Sequence, residues 1–442
     1  MTPKLNKSIC FFCLGLLAFS LFAYAEEKKD DLYAPTYTQP LAPEPLKGAL
    51  SRIIEFPLKL AKWPMDQGIL FNDRHRVDKK AIWLYEESLR QGVKPLVGFS
   101  DLSALPYYGA EFNLLTLARQ KERYPDFFAT TTILHCPAVF FMVGSEIGAQ
   151  QIGGTGFHAK GLFNYSRDEK EPFYGIGPDT SHGDKSSYRM ETTRVGVEAG
   201  YEFSPSLDIT TGFDYKNVNI RSVVHDNTAS ISGLFSGQNI PGLSGDNLLD
   251  YSVALGRDTR DSKDDATQGS YQKLRFEFTD GVNGSTAKYF KYQLDMAKYF
   301  RLWSPRRVLV ARLFGEHNDE VGGGNIPFYN LAKLGGAGAT NARQSETLRG
   351  YVYNRFYGES SLLLNLEYRY TVMEYKEFKV KTALFNDLGQ VFGEIHEFQI
   401  KDFRETYGVG LYLSYSKNTV VNFSVAHSND GTQFYVKNKL AF

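Results

Sequence analysis

From Ser361 to Tyr370 the chain alternates. Leu362, Leu364, Leu366, Tyr368 and Tyr370 share one face, and Ser361, Leu363, Asn365, Glu367 and Arg369 share the other. A period of two with one apolar and one mostly polar face reads as a β-strand, here with one side for lipid and one for a lumen. The segment before it, from about 318 to 360, is far longer than an ordinary connection and rich in Gly and Asn, so it reads as a functional loop. Everything before the loop builds most of a barrel, and everything after it closes one.

The same period predicts about sixteen strands, near 94–101, 105–117, 126–136, 138–149, 156–168, 187–203, 206–222, 247–260, 269–281, 287–302, 306–318, 360–372, 377–392, 405–416, 419–428 and 432–442. A tilted membrane-spanning strand needs ~9–11 residues, which most of these reach. The first is weak. The three longest connections, near 169–186, 223–246 and 319–359, all follow odd-numbered strands. Outer-membrane barrels place long loops outside and short turns in the periplasm, so an even strand number and a periplasmic N-terminus follow together.

The chain before the barrel has other patterns. Residues 1–25 carry Lys4 and Lys7, an apolar run from Ile9 to Tyr24 and the Ala23-Tyr24-Ala25 site of a secretory signal peptide. Residues 26–44 are a proline-bearing linker, and 45–92 hold two helical patterns. In the first, Leu46, Leu50, Ile53, Ile54, Leu60 and Ala61 fall at three and four spacing, interrupted at Pro57. The second, about 73–91, presents Val77, Ala81, Leu84 and Tyr85 and stops at Gly92. Two readings stay open for this periplasmic segment. It lies on the membrane or in the barrel mouth with Trp63 and Trp83 at the interface, or its helices pack on each other.

Composition supports the barrel. Phe 33 and Tyr 28 against Trp 3, with Gly 40, suit strands whose apolar residues are diluted by alternation, and no apolar run of spanning length exists outside the N-terminus. Lys+Arg 50 against Asp+Glu 50 leaves no basic field for nucleic acid. Cys10 and Cys13 leave with the signal peptide, so Cys136 stands alone and no disulfide within the chain is expected. The eight His lack metal-ligand spacing, no G-x-S-x-G elbow is present, and GGAGAT at 335–340 lies in the long loop rather than between a strand and a helix. No enzyme, metal or cofactor is expected. The acidic run 258–265 reads as a solvated turn of mixed charge. At the C-terminus Phe434, Val436, Leu440 and Phe442 share a face, and a terminal Phe442 with Leu440 before it looks like the signal read by outer-membrane assembly machinery.

Several stretches resemble one family. Arg349-Gly350-Tyr351 resembles the (V/L)RG(F/Y) signature of the BamA/TamA superfamily, which includes assembly factors and two-partner secretion transporters. Gly358 to Glu367 resembles that family's G…E strand, Phe385 to Gly389 its F-x-D-x-G strand, and ALGRDTRDSKDDATQGSY from Ala254 its periplasmic turn. Phe173 to Gly177 looks like a stretch shared by short members. The resemblance implies that Arg349 binds Asp387, with Glu367 as a second partner, and so holds the loop inside the barrel. Physically, a guanidinium drawn away from water must be paired, because an unpaired buried charge is costly. A symmetric hairpin about 373–377 would set Glu367 opposite a residue near 382. Family assembly factors carry periplasmic POTRA repeats, whereas 26–93 shows no strand periodicity, so the resemblance is to a short form without them.

The expected fold is thus an all-β, transmembrane antiparallel barrel of about 16 strands over 93–442, with a lumen-inserted loop at about 319–359. Three functional readings stand. One is assembly of a client protein or lipid into the outer membrane, or its translocation, with a weak first strand that opens laterally. The second is a gated channel for small solutes, and the third a structural homo-oligomer. Outer-membrane lipid and the assembly machinery are the expected partners.

Overall fold

The computed structural model describes residues 84, 87–99, 106–224, 228–263, 265–336, 346–375, 378–415 and 418–437. Trp63, Trp83, Leu440, Phe442, the signal peptide, the linker and most of the helical segment lie outside these residues. Residues 87–90 are helical, and Gly92 turns the chain into the first strand at φ +84°.

Sixteen long strands form one antiparallel sheet. They are β1 (Val93–Phe99), β2 (Pro106–Asn113), β3 (Phe127–Cys136), β4 (Phe140–Ala149), β5 (Phe157–Phe173), β6 (Ser186–Ser204), β7 (Leu207–Ser222), β9 (Asp246–Asp258), β10 (Gly269–Val282), β11 (Lys288–Arg301), β12 (Arg307–Glu320), β16 (Ser360–Tyr375), β17 (Phe378–Phe392), β18 (Arg404–Tyr415), β19 (Asn418–Ser428) and β20 (Gly431–Lys437). Between them, β8 (Ala229–Ser230), β13 (Ala332–Gly335), β14 (Glu346–Thr347) and β15 (Phe356–Gly358) are short strands within loops. The predicted second strand stops early. Asn113 accepts a hydrogen bond from the Thr116 amide at 3.0 Å and caps a helical turn, α1 (Leu114–Leu117), because an Asn side chain at that position satisfies a helix-start donor better than a ladder does.

Alternation sorts the two faces. Leu364, Leu366, Leu274, Phe276, Tyr251, Val253 and Val197 are exposed on the outside, where bilayer is the natural solvent for them. The inner face carries paired charges, with Arg194 on Asp214 at 2.7 Å, Lys291 on Glu316 at 2.9 Å and Arg312 on Asp295 at 2.7 Å. Two residues of the strand from Ser361 to Tyr370 break the simple pattern. Tyr370 shares the outer face yet is covered by the Arg307 guanidinium, 4.6 Å above its ring. Leu363, the one apolar member of the inward set from 361 to 369, is buried against the long loop together with Phe314, Leu334, Leu348, Tyr351, Phe356 and Val391.

Loops 174–185, 223–245 and 321–359 meet at one end of the barrel. Apolar residues of these loops pack with the adjoining strand ends there in a single core that includes Phe173, Tyr188, Ile231, Phe235, Phe328 and Tyr357. At the other end the turn 259–268 is not the solvated segment expected of its charges. Asp265 is buried on Lys381 of β17, and Ala266 packs with Ala297, Tyr299, Val308 and Val310 of the inner wall. A carboxylate that finds a buried ammonium partner, with an alanine beside it that fits the wall, folds inward instead of out. Every barrel strand pairs with the next in chain order, whereas β1 and β20 lie side by side with no ladder between them among the described residues.

Candidate functional site: the arginine of the long loop

The described residues of loop 321–359 form a small sheet of their own against the inner side of β16 and β17. Strand β13 pairs antiparallel with β15 and parallel with β14, and the chain then turns at Arg349-Gly350 beneath the wall made by β16 and β17. On that wall Glu367 faces Phe385 and Asn365 faces Asp387 across the ladder. The symmetric hairpin expected from sequence would have placed residue 382 there. The actual turn lies further along, and a bulge between Thr371 and Met373 shifts the register once more.

This register puts Glu367 and Asp387 on the inner face as diagonal neighbours with the guanidinium between them. Arg349 Nε and Nη2 donate to the two Asp387 oxygens, each at 2.7 Å, and Nη1 donates to Glu367 Oε2 at 2.5 Å. The Arg349 amide adds a bond to Asp387 at 3.3 Å. Glu367 Oε1 accepts from Arg369 Nε at 2.6 Å, so two arginines and two carboxylates form one neutral group. All four are buried, Glu367 and Asp387 completely. Burial by itself would push the Arg349 guanidinium toward losing its proton, but the two carboxylates overcome it and hold the proton more firmly than in water. The Phe385 ring lies flat beneath, 3.5 Å from the guanidinium carbon, and itself faces Gly408 of β18.

The F-x-D-x-G pattern therefore has three physical parts: an aromatic platform, a bidentate acceptor and a hole. The hole is Gly389, where an added Cβ would sit 2.9 Å from Leu348 and 3.2 Å from Leu334. Gly389→Val should displace Leu348 and weaken loop docking by about 1–3 kcal/mol, read as faster protease cleavage of the loop in a barrel that still migrates as folded. Gly350 has φ +98°, a conformation that glycine alone enters without strain. Its turn presents backbone groups to the last strands. The Gly350 amide donates to the Tyr435 hydroxyl at 2.8 Å, that hydroxyl donates to the Tyr351 carbonyl at 2.7 Å, and Ser428 Oγ donates to the Gly350 carbonyl at 2.6 Å. Gly358 sits in β15, opposite Ala332 and close against Val391 and Phe392, where the loop rejoins the wall.

Sequence reasoning passed over Arg369, Tyr435 and Arg355. Arg355 binds Asp430 at 2.6 Å and Thr180 through its hydroxyl and carbonyl, both at 2.8 Å, which ties the long loop to loop 174–185 and to the β19–β20 turn. Its only sequence signal was its place six residues after Arg349, and a loop arginine looks the same whether docked or solvated. The stretch from Phe173 to Gly177 acquires a role here. Phe173 meets Phe235, Phe328 and Tyr357 at ring separations of 5.0, 5.3 and 5.1 Å, and the Gly177 amide donates to the Tyr357 carbonyl at 2.7 Å.

Lys333, on β13 of the same loop, gives a pH dependence. Burial drives its ammonium down to about 8, against an opposing pull from Glu171. The docked loop then holds fewer protons than the undocked one between pH 8 and the ordinary lysine value, so docking strengthens as pH rises through that window and loses this gain below it. Loop protease resistance should increase from pH 7 to 9.5 by an amount on the order of 1–3 kcal/mol, and Lys333→Met should abolish the increase.

Among solved structures, BamA from Haemophilus ducreyi lacking POTRA domains 1-3 superposes with a TM-score of 0.57 at 16% identity, over 78% of this chain and 69% of that one. CdiB from Acinetobacter baumannii matches at TM-score 0.45 and 10% identity, and CdiB from Escherichia coli at 0.49 and 10%; each match covers 78% of this chain but only 58% and 61% of theirs. No curated protein sequence matches the chain. Residues 151–428 match the Omp85 superfamily domain, a span that takes in the whole loop, its arginine and the wall that receives it, and the chain is thereby a member of the Omp85 superfamily.

Proposed function

We propose that this outer-membrane barrel assists the assembly of a client protein, or of lipid, into the outer membrane or its passage across it, with its N-terminus in the periplasm and Arg349 locking the long loop to the wall. One observation carries the reading. The three residues Arg349 to Tyr351 are attached at two places, by side chain to Glu367 and Asp387 on β16 and β17 and by backbone to Ser428 and Tyr435 on β19 and β20. Strand β20 is the one whose outer edge has no ladder to β1 among the described residues. Undocking the loop would therefore loosen the strand beside the unpaired edge, which is where a client strand could add or lipid could be disturbed.

The segment 45–92, whose sequence carries two helical patterns, is the candidate docking element for a client. Membership of the Omp85 superfamily supports this reading.

The test is assisted insertion. The mature protein is reconstituted in liposomes, an unfolded small outer-membrane barrel is added, and its folding rate is compared with empty liposomes. Acceleration of several-fold supports the reading. No acceleration, with ion conductance in the same vesicles, would replace it by the channel reading, which the paired charges of the lumen favour and the apolar cap over its mouth opposes.

A further inference from the structure

We propose that the turn between β9 and β10 is an inner lid over the arginine–carboxylate group, and that Lys381 and Asp265 are the positioning pair that holds it shut. The inference rests on the loop-lock part of the reading above and not on any client. The turn is a preformed unit. Asp261 accepts from the Thr267 amide at 2.8 Å, from the Thr267 hydroxyl at 2.5 Å and from the Gln268 amide at 3.2 Å. Arg301 of β11 adds a bond to Thr267 at 3.0 Å.

This unit reaches past β11, β12 and β16 along the inner wall to place Asp265 on Lys381 of β17. Both side chains are buried. On the way Ala266 packs with Tyr299, whose ring lies 5.9 Å from the Arg369 guanidinium. Arg369 binds Glu367, and Glu367 binds Arg349. Contacts thus run without a break from the turn to the loop arginine, which is what a lid over that group requires. Excluding water there strengthens each ion pair, since the same charges attract several times more strongly away from bulk solvent. Thr371 opposite Lys381 brings no charge, so Asp265 is the carboxylate bonded to that ammonium.

The test uses the mature chain in detergent micelles, with Cys136→Ser as background and a single reporter cysteine, Ala266→Cys in the turn or Thr347→Cys beside Arg349, labelled by a water-soluble maleimide. Lys381→Met should speed labelling at 266 by at least tenfold and at 347 by at least threefold. The exchanged pair, Lys381→Asp with Asp265→Lys, should return both rates toward the starting ones, which mere loss of packing would not allow. Unchanged labelling at 266 would overturn the clasp, and faster labelling at 266 with 347 unchanged would overturn the lid. If Lys381→Met does not show the heat-modifiable mobility of a folded barrel, Asp265→Asn is read in its place against the same outcomes. Arg349→Ala is the separating control. It should speed 347 and leave 266 alone, and its failure to speed 347 would count against the loop lock rather than against the clasp.

Discussion

Arg349→Ala should release the long loop from the barrel wall. The substitution leaves Asp387 and Glu367 fully buried with one arginine where there were two, and the loss should be about 3–5 kcal/mol of docking free energy, typical of a buried pair stripped of one partner. Most of that is the cost of the abandoned Asp387 carboxylate, because Glu367 still has Arg369. Two further expectations separate charge from geometry. Arg349→Lys should recover little, since an ammonium cannot span both Asp387 oxygens and reach Glu367 as the planar fork does. Asp387→Asn should fall between the wild type and Arg349→Ala, because an amide accepts at one atom only. The readouts are protease cleavage within 321–359, heat-modifiable mobility and assisted insertion. A variant with all three unchanged would mean that the buried group is decoration.

The second large effect is at the cap. Phe328 is fully buried where three loops converge, in edge contact with Phe173 at 5.3 Å and Tyr188 at 4.9 Å. Phe328→Ala should cost about 3–5 kcal/mol, from lost transfer of the ring and the cavity left behind. Because this core lies where the loops join the strand ends, the cost should appear as local opening and not as loss of the barrel. Hydrogen exchange should accelerate in 174–185 and 321–336 while the strand amides stay protected, and single-channel conductance should rise above that of the wild type. Ile176→Ala, at an exposed site in the same loops, is the near-neutral control. Unchanged exchange in the cap would show that the aromatic core does not hold the mouth shut.

How much of this was legible in the chain depends on the range of the interaction. Strand positions are local, since alternation reports which side of a ladder each residue takes, and for most strands the ends lie within a few residues of expectation. The second strand is the clear miss, because Asn113 caps a helical turn that periodicity cannot see. Strand β5 runs on to Phe173, beyond the predicted end near 168, because its last residues belong to the loop cap and no longer alternate for a bilayer.

The site divides in the same way. Family resemblance marked Arg349, Glu367 and Asp387 as a charge and its candidate acceptors, in line with the physical requirement that a buried loop arginine be paired. Which carboxylate faced which residue turned on one bulge at Thr371, a feature no pattern of polarity specifies. The partners of the Gly350 backbone, Tyr435 and Ser428, come from strands some 80 residues on, and Asp265 meets Lys381 across 116 positions. From the sequence alone came a period-two barrel wall, its inner and outer faces, and a loop arginine in want of acid. Only the tertiary structure decided the register that brings both acids to the arginine, which terminal strand the loop grips and that an acidic turn folds inward, because burial and register are set by the closing of the sheet and not by any residue's own preference.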